Sequence, residues 1–105
     1  MQIGSGLLKE RLARMLKILR STRNDSVVFT LAGRIEGENL AELKRVVGLE
    51  ARDRNLALDL KDVTLVDQAA IRFLARCEAD SASLENCPAY IRDWVTAEER
   101  RNSRR

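Results

Sequence analysis

The side chains able to do chemistry in this chain are few. Asp59, Asp62 and Asp67 fall within nine residues, a spacing at which carboxylates can share a magnesium ion. Cys77 and Cys87 are the only thiols, and histidine is absent. General acid–base catalysis draws on histidine or on a carboxylate with a shifted pKa. Two thiols without other soft ligands make a poor structural zinc set, and a nucleophilic cysteine needs a basic neighbour. The serines and threonines have no visible base partner. Gly4-Ser5-Gly6 has no following lysine and does not leave a strand, so it is no phosphate loop. Each aspartate also has a structural use: Asp59 beside a backbone amide or an arginine, Asp62 in a turn, Asp67 as a helix cap. That use is the reading adopted. No catalytic residue, no metal and no cofactor are expected, and the cysteines are read as small buried apolar residues. An enzyme built on the three aspartates stands as an alternative.

The elements that must position these residues follow from hydrophobic patterning. "MLKILR" alternates from Met15, with Leu16 and Ile18 on one side. Asn24-Asp25 suits a tight hairpin, and "VVFTLAG" is a second strand that Gly33 breaks. "RIEG" follows as a connector. A helix runs from about Glu38 to Arg52 with Leu40, Leu43, Val46 and Val47 on one face. Its early Glu38 and Glu42 and later Arg45 and Arg52 suit the helix dipole. "LALDL" is a short buried strand, and "KDVTLV" a loop. Asp67 then caps a helix from Gln68 to about Asp80 by accepting from the amide of Ala69 or Ala70. Ile71, Leu74, Ala75 and Glu78 form one stripe of that helix, Phe73 and Cys77 another. Residues 83–86 form a further short strand. Pro88 opens a last helix, "AYIRDWVTAEERR" (residues 89–101), that buries Ile91, Val95 and Trp94. The order β-β-α-β-α-β-α predicts an α/β fold with a mixed sheet of four to five strands and helices packed on one face.

A length of 105 residues fits one domain. Residues 1–14 read as an extension. They form either a short amphipathic helix from about Leu7, with Leu8, Leu12 and Met15 near one face, or a non-native leader ahead of a start at Met15. Residues 15–97 form the domain and 98–105 a basic tail. The net charge of +3 is uneven: residues 1–24 carry net +5, residues 97–105 net +2 and the middle net −4. A tail such as "RRNSRR" can grip phosphates non-specifically, but it reads as a frayed, solubilising end. An acidic middle with 4% aromatics argues against a nucleic-acid domain, which should be basic on its folded face and offer stacking platforms. The apolar runs are too short to span a bilayer, so no membrane association is expected. No secretory signal is visible, and a cytoplasmic protein is expected.

"LALDLKDVTLVDQAAIRFLARC", residues 56–77, resembles the signature region of the STAS domain, named for sulphate transporters and anti-sigma factor antagonists. The shared features are a buried strand with an aspartate before its last leucine, a "DVT" loop, then Val-Asp and a helix. "VVFTLAGRIEGENLAELKRVV" resembles the family's second strand, glycine turn and first helix. "ENCPAYIRDWV" resembles the strand and helix after the signature. The likeness covers roughly residues 15–97. It implies a non-enzymatic protein-interaction module in bacterial regulation, with an anti-sigma kinase or another regulator as partner.

In anti-sigma antagonists of that family the junction aspartate is followed by two hydroxyl residues and a glycine, and the second hydroxyl is phosphorylated. Here Asp67 matches the aspartate, Gln68 and Ala69 occupy the hydroxyl positions and Ala70 the glycine. Ala69 cannot accept a phosphate, so the resemblance implies an unswitched binder. The partner-binding residues it implies are Asp67, Gln68, Ala69, Ala70, Arg72 and Phe73, with Phe73 either core or contact. Family members commonly continue with another strand and a long helix. The expectation here is therefore an exposed sheet edge, covered by residues 1–14 or by a second copy in a homodimer. The alternative function on the same fold is sensing of a small ligand or nucleotide through the helix N-terminus and Arg34 or Arg72.

Overall fold

The computed structural model describes residues 15–50 and 55–103. Its elements are β1 (Leu16–Arg23), β2 (Ser26–Ile35), α1 (Gly37–Glu50), β3 (Asn55–Val66), α2 (Gln68–Ala79), β4 (Ser83–Glu85) and α3 (Ala89–Ser103). The chain thus has the α/β fold that its patterning predicts. The extension at 1–14, with Leu7, Leu8 and Leu12, and the predicted end of the first helix at Arg52 lie outside the described residues.

The four described strands form one sheet in the order β1-β2-β3-β4. β1 and β2 make the hairpin: Arg23 pairs with Ser26 across Asn24-Asp25, and Asn24 takes a φ of 56°, the left-handed turn conformation that asparagine tolerates. β2, β3 and β4 run parallel. The two crossovers, through α1 and α2, step in the same direction across the sheet. With the right hand that such units almost always take, both helices fall on one face. Val27, Phe29 and Leu31 of β2 and Leu56, Leu58 and Leu60 of β3 point into that layer. They meet Leu40, Leu43 and Val47 of α1 and Ile71 and Leu74 of α2 in one buried cluster.

The strand β3 differs from expectation. "KDVTLV" is not a loop: the strand runs on to Val66. Its apolar residues stay buried at positions 56, 58, 60, 63 and 66. The two steps of three coincide with register shifts against β2, between Thr30 and Ala32 and between Gly33 and Arg34. At each shift β3 carries an extra residue, a bulge that breaks the alternation by which a strand is recognised. The first bulge is held by Asp59, whose Oδ1 accepts from the backbone N–H of Lys61 at 3.0 Å. Gly33 does not end β2 either. It sits within the strand at a φ of 111°, and a Cβ there would lie 2.3 Å from the carbonyl oxygen of Met15. Glycine lets the start of β1 close against β2.

The last helix also departs in two ways. The helix runs through Arg101 as its pattern predicts and on to Ser103, so residues 98–103 of the stretch set apart as a basic tail belong to α3, and Glu98 is only 6% exposed. Ile91 and Val95 are buried as expected, but Trp94 is 51% exposed. It stacks edge-on with Tyr90, ring centroids 6.0 Å apart, because α3 presents a single stripe to its neighbour and the aromatic pair lies beside that stripe. α3 packs antiparallel on α2. At one end Arg92 donates to both Glu78 oxygens at 2.9 and 2.5 Å; at the other Gln68 Nε2 donates to Glu98 Oε1 at 3.4 Å.

Gly33→Ala combines positive φ with a backbone clash and is expected to lower stability by roughly 2 kcal/mol or more, read from urea unfolding. An unchanged midpoint would contradict the close approach of β1. The bonds from Arg92 hold the Glu78 carboxyl below the usual range. A depressed pKa contributes stability above 4.5, the ordinary value, that is lost as pH falls through the folded value. A hydrogen bond to Glu78, then burial, push Glu99 the other way. In a Glu99→Gln background, acidification below pH 4.5 is therefore expected to lower the urea midpoint. Arg92→Met should flatten that fall; identical acid profiles with and without Arg92 would refute the clamp.

Candidate functional site

Asp67 is the residue around which the junction is built. Its backbone N–H donates to the carbonyl of Ile35 at 3.3 Å, which prolongs the pairing of β2 with β3. Its Oδ1 accepts from the N–H of Ala70 at 2.8 Å, the capping bond that the sequence predicts. Its Oδ2 accepts from the N–H of Gly37 at 3.3 Å. One carboxylate therefore joins the first turns of α1 and α2, where unsatisfied amides and the dipoles favour negative charge. Gly37 takes a φ of 53° there, a left-handed conformation that glycine adopts without strain.

The other expected residues separate into exposed and internal ones. Gln68, Ala69 and Arg72 are exposed, while Ala70 is buried. Gln68 is partly engaged through its bond to Glu98. Phe73 is half-buried and packs against the core, yet its remaining surface lies in a groove between α1 and α2. Phe73 is therefore core on one side and open to the groove on the other. Arg34 stands apart, with Nε 3.5 Å from Glu36.

The three aspartates do not converge. Asp59 serves the bulge, Asp67 serves the caps and Asp62 is exposed. Among the described residues no group of three His, Cys, Asp or Glu could hold a metal ion. Cys77 and Cys87 are free thiols. Burial, and secondarily Asp80, push the Cys77 thiol up to about 11. Burial also raises Cys87. Neither is an activated nucleophile, since it is the thiolate that attacks. Among the described residues no helix is long and apolar enough to cross a membrane.

Two adjoining cavities mark the α1–α2 groove. One, of about 420 Å³, is lined by Lys44, Val47, Leu56, Phe73, Arg76 and Cys77 among others. The second, of about 470 Å³, is lined by Lys44, Ala69, Arg72, Phe73 and Arg76. Ala69, Arg72 and Phe73 thus come together, and the structure adds Lys44 and Arg76. Arg76 was within reach of the sequence: positions 69, 72, 73 and 76 share a helix face beside the Ile71–Leu74 stripe. Lys44 sits on another element, and only the packing of α1 beside α2 brings it there. The Gln68–Glu98 contact has the same origin.

Neither a family model nor a curated protein matches the chain.

Asp67→Ala removes the acceptor for both helix N-termini and is expected to cost about 1–2 kcal/mol. That corresponds to a fall in Tm of roughly 4–8 °C per kcal/mol for a domain of this size. Asp67→Asn keeps one acceptor oxygen and should cost less. Equal melting of Asp67→Ala and the parent protein would remove the clamp from the account.

Proposed function

We propose that this chain is a non-enzymatic protein-interaction module of the STAS, anti-sigma factor antagonist type. It acts in bacterial regulation in the cytoplasm, docks a regulatory protein partner on the first turns of α2 and carries no phosphorylation switch there. One observation carries the reading. The α2 N-terminus is held firmly by Asp67 yet presents only Gln68 and Ala69 to solvent. The carboxylate is occupied by two backbone amides, so the junction is a shaped surface rather than a reactive centre. The raised thiols and the lack of histidine support a module without catalysis. The edge strands β1 and β4 support a second copy as a further partner.

A second reading is favoured by the groove. A cavity of about 420 Å³ falls in the size range of small-molecule sites, and its cations suit an anionic ligand or nucleotide. It predicts thermal stabilisation by ATP or GTP, by the mass action of a ligand that binds only the folded state.

The test uses Ala69→Asp. An acid in the first turn of a helix is favourable for folding, so the variant should melt no lower than the parent while placing charge on the docking face. A partner kinase retained from lysate by the parent protein is expected to be lost by Ala69→Asp. Incubation with that kinase and ATP should leave the peptide spanning Asp67–Ala70 at its unmodified mass. Retention of the same proteins by both forms, or a mass gain on that peptide, would overturn the reading.

A further inference from the structure

The described arginines are almost all bonded. Arg20 pairs with Glu50, Arg23 with Glu85, Arg34 with Glu36, Arg45 with Glu42, Arg92 with Glu78 and Arg101 with Glu98; Arg100 has a partner as well. Arg72 and Arg76 are the exceptions among the described residues, and both line the α1–α2 groove. Lys44, on the opposite wall, is likewise unpaired among them. Asp80, at the far end, is the one acidic side chain among the described residues on these walls.

Arg72 and Arg76 stand four residues apart on α2, an arrangement that costs an isolated helix a few tenths of a kcal/mol through like-charge repulsion. Between the cations the floor is apolar: Phe73 at the junction of the two cavities, with Val47 and Leu56 beyond it. The groove runs along the flank of α2 from Ala69 to Arg76, longer than an isolated phosphate at a helix end would need. A helical peptide fits better. Its carboxylates at i and i+4 would be separated by about 6 Å, the same rise as Arg72 to Arg76, and an apolar side chain between them would reach Phe73.

We propose that the groove between α1 and α2 is the docking site for an acidic amphipathic segment of a partner protein. Its carboxylates pair with Arg72, Arg76 and Lys44, and its apolar anchor lies on Phe73. The proposal rests on the reading of α2 as the partner-binding element and names the chemistry of what binds.

The probe is a synthetic helical peptide with a leucine flanked by glutamates one turn apart, titrated by calorimetry into the full chain. Saturable binding is expected that weakens as salt rises. The exposed charge reversals Arg72→Glu plus Arg76→Glu, and separately Lys44→Glu, should weaken it at least tenfold and about threefold, with circular dichroism unchanged. A control peptide with lysines in place of glutamates should not bind. No saturable binding, or binding untouched by the reversals, overturns the proposal. So does thermal stabilisation by ATP that the reversals abolish while the peptide does not bind, which would make the groove a small-anion site. The two levels separate in the lysate experiment. A partner lost by Ala69→Asp but kept by the Arg72→Glu plus Arg76→Glu protein refutes the groove and leaves the α2 reading. Peptide binding that obeys the reversals, with no regulator retained, leaves the groove and refutes the regulatory reading.

Discussion

The arrangement of this fold depends on one carboxylate serving two helices. Both parallel crossovers begin at the same end of the sheet, so α1 and α2 start side by side with amides that have no partner within their own helices. Asp67 satisfies one amide from each. That requires β2 and β3 to end level, and they do: Ile35 is paired with Val66. From the pair Ser26 and Asn55 to that point β2 advances nine residues and β3 eleven. The two bulges absorb the difference. Without them, at a rise of about 3.3 Å per residue, Asp67 would stand roughly 7 Å beyond Gly37. The irregular strand is therefore what allows the regular clamp.

The same bulges decide what could be read from the chain. The alternation of Leu56, Leu58 and Leu60 declares a strand; Val63 and Val66 keep its buried side only after an extra residue each, and a period of three looks like a loop. The capping bond to Ala70 is local and legible in Val-Asp-Gln. The bond to Gly37 spans thirty residues and follows only from topology. Trp94 failed for a different reason. Its spacing from Ile91 and Val95 allows burial, but a helix that covers one neighbour needs a single stripe, and the flank that carries Tyr90 and Trp94 is left about half exposed. Glu98 is the converse. Its charged type reads as tail, and its burial follows from the antiparallel course of α3 back to Gln68.

Charge is distributed with the same economy. Most of the described arginines have an acid within reach, and such exposed pairs contribute little to stability individually. Each of these pairs neutralises its own charge locally. Arg72 and Arg76, the unpaired arginines among the described residues, instead lie together with unpaired Lys44 on one apolar-floored feature. A residue-by-residue count of charge does not reveal this, because the net excess of the chain resides mostly in its ends.

On the proposed reading, the missing hydroxyl at position 69 and the Asp67 clamp have a joint consequence. A modification or ligand can shift an equilibrium only by interacting differently with two states. The clamp fixes the first turns of both helices by the same side chain, so moving either would strip an acceptor from the other and leave amides unsatisfied. Phosphorylation at this helix end would add charge beside the carboxylate already there, and alanine removes that possibility. Control of such a surface then falls to occupancy. Whatever binds the groove or the α2 N-terminus competes for Ala69, which belongs to both, and the concentration of competing partners takes the place of a covalent switch.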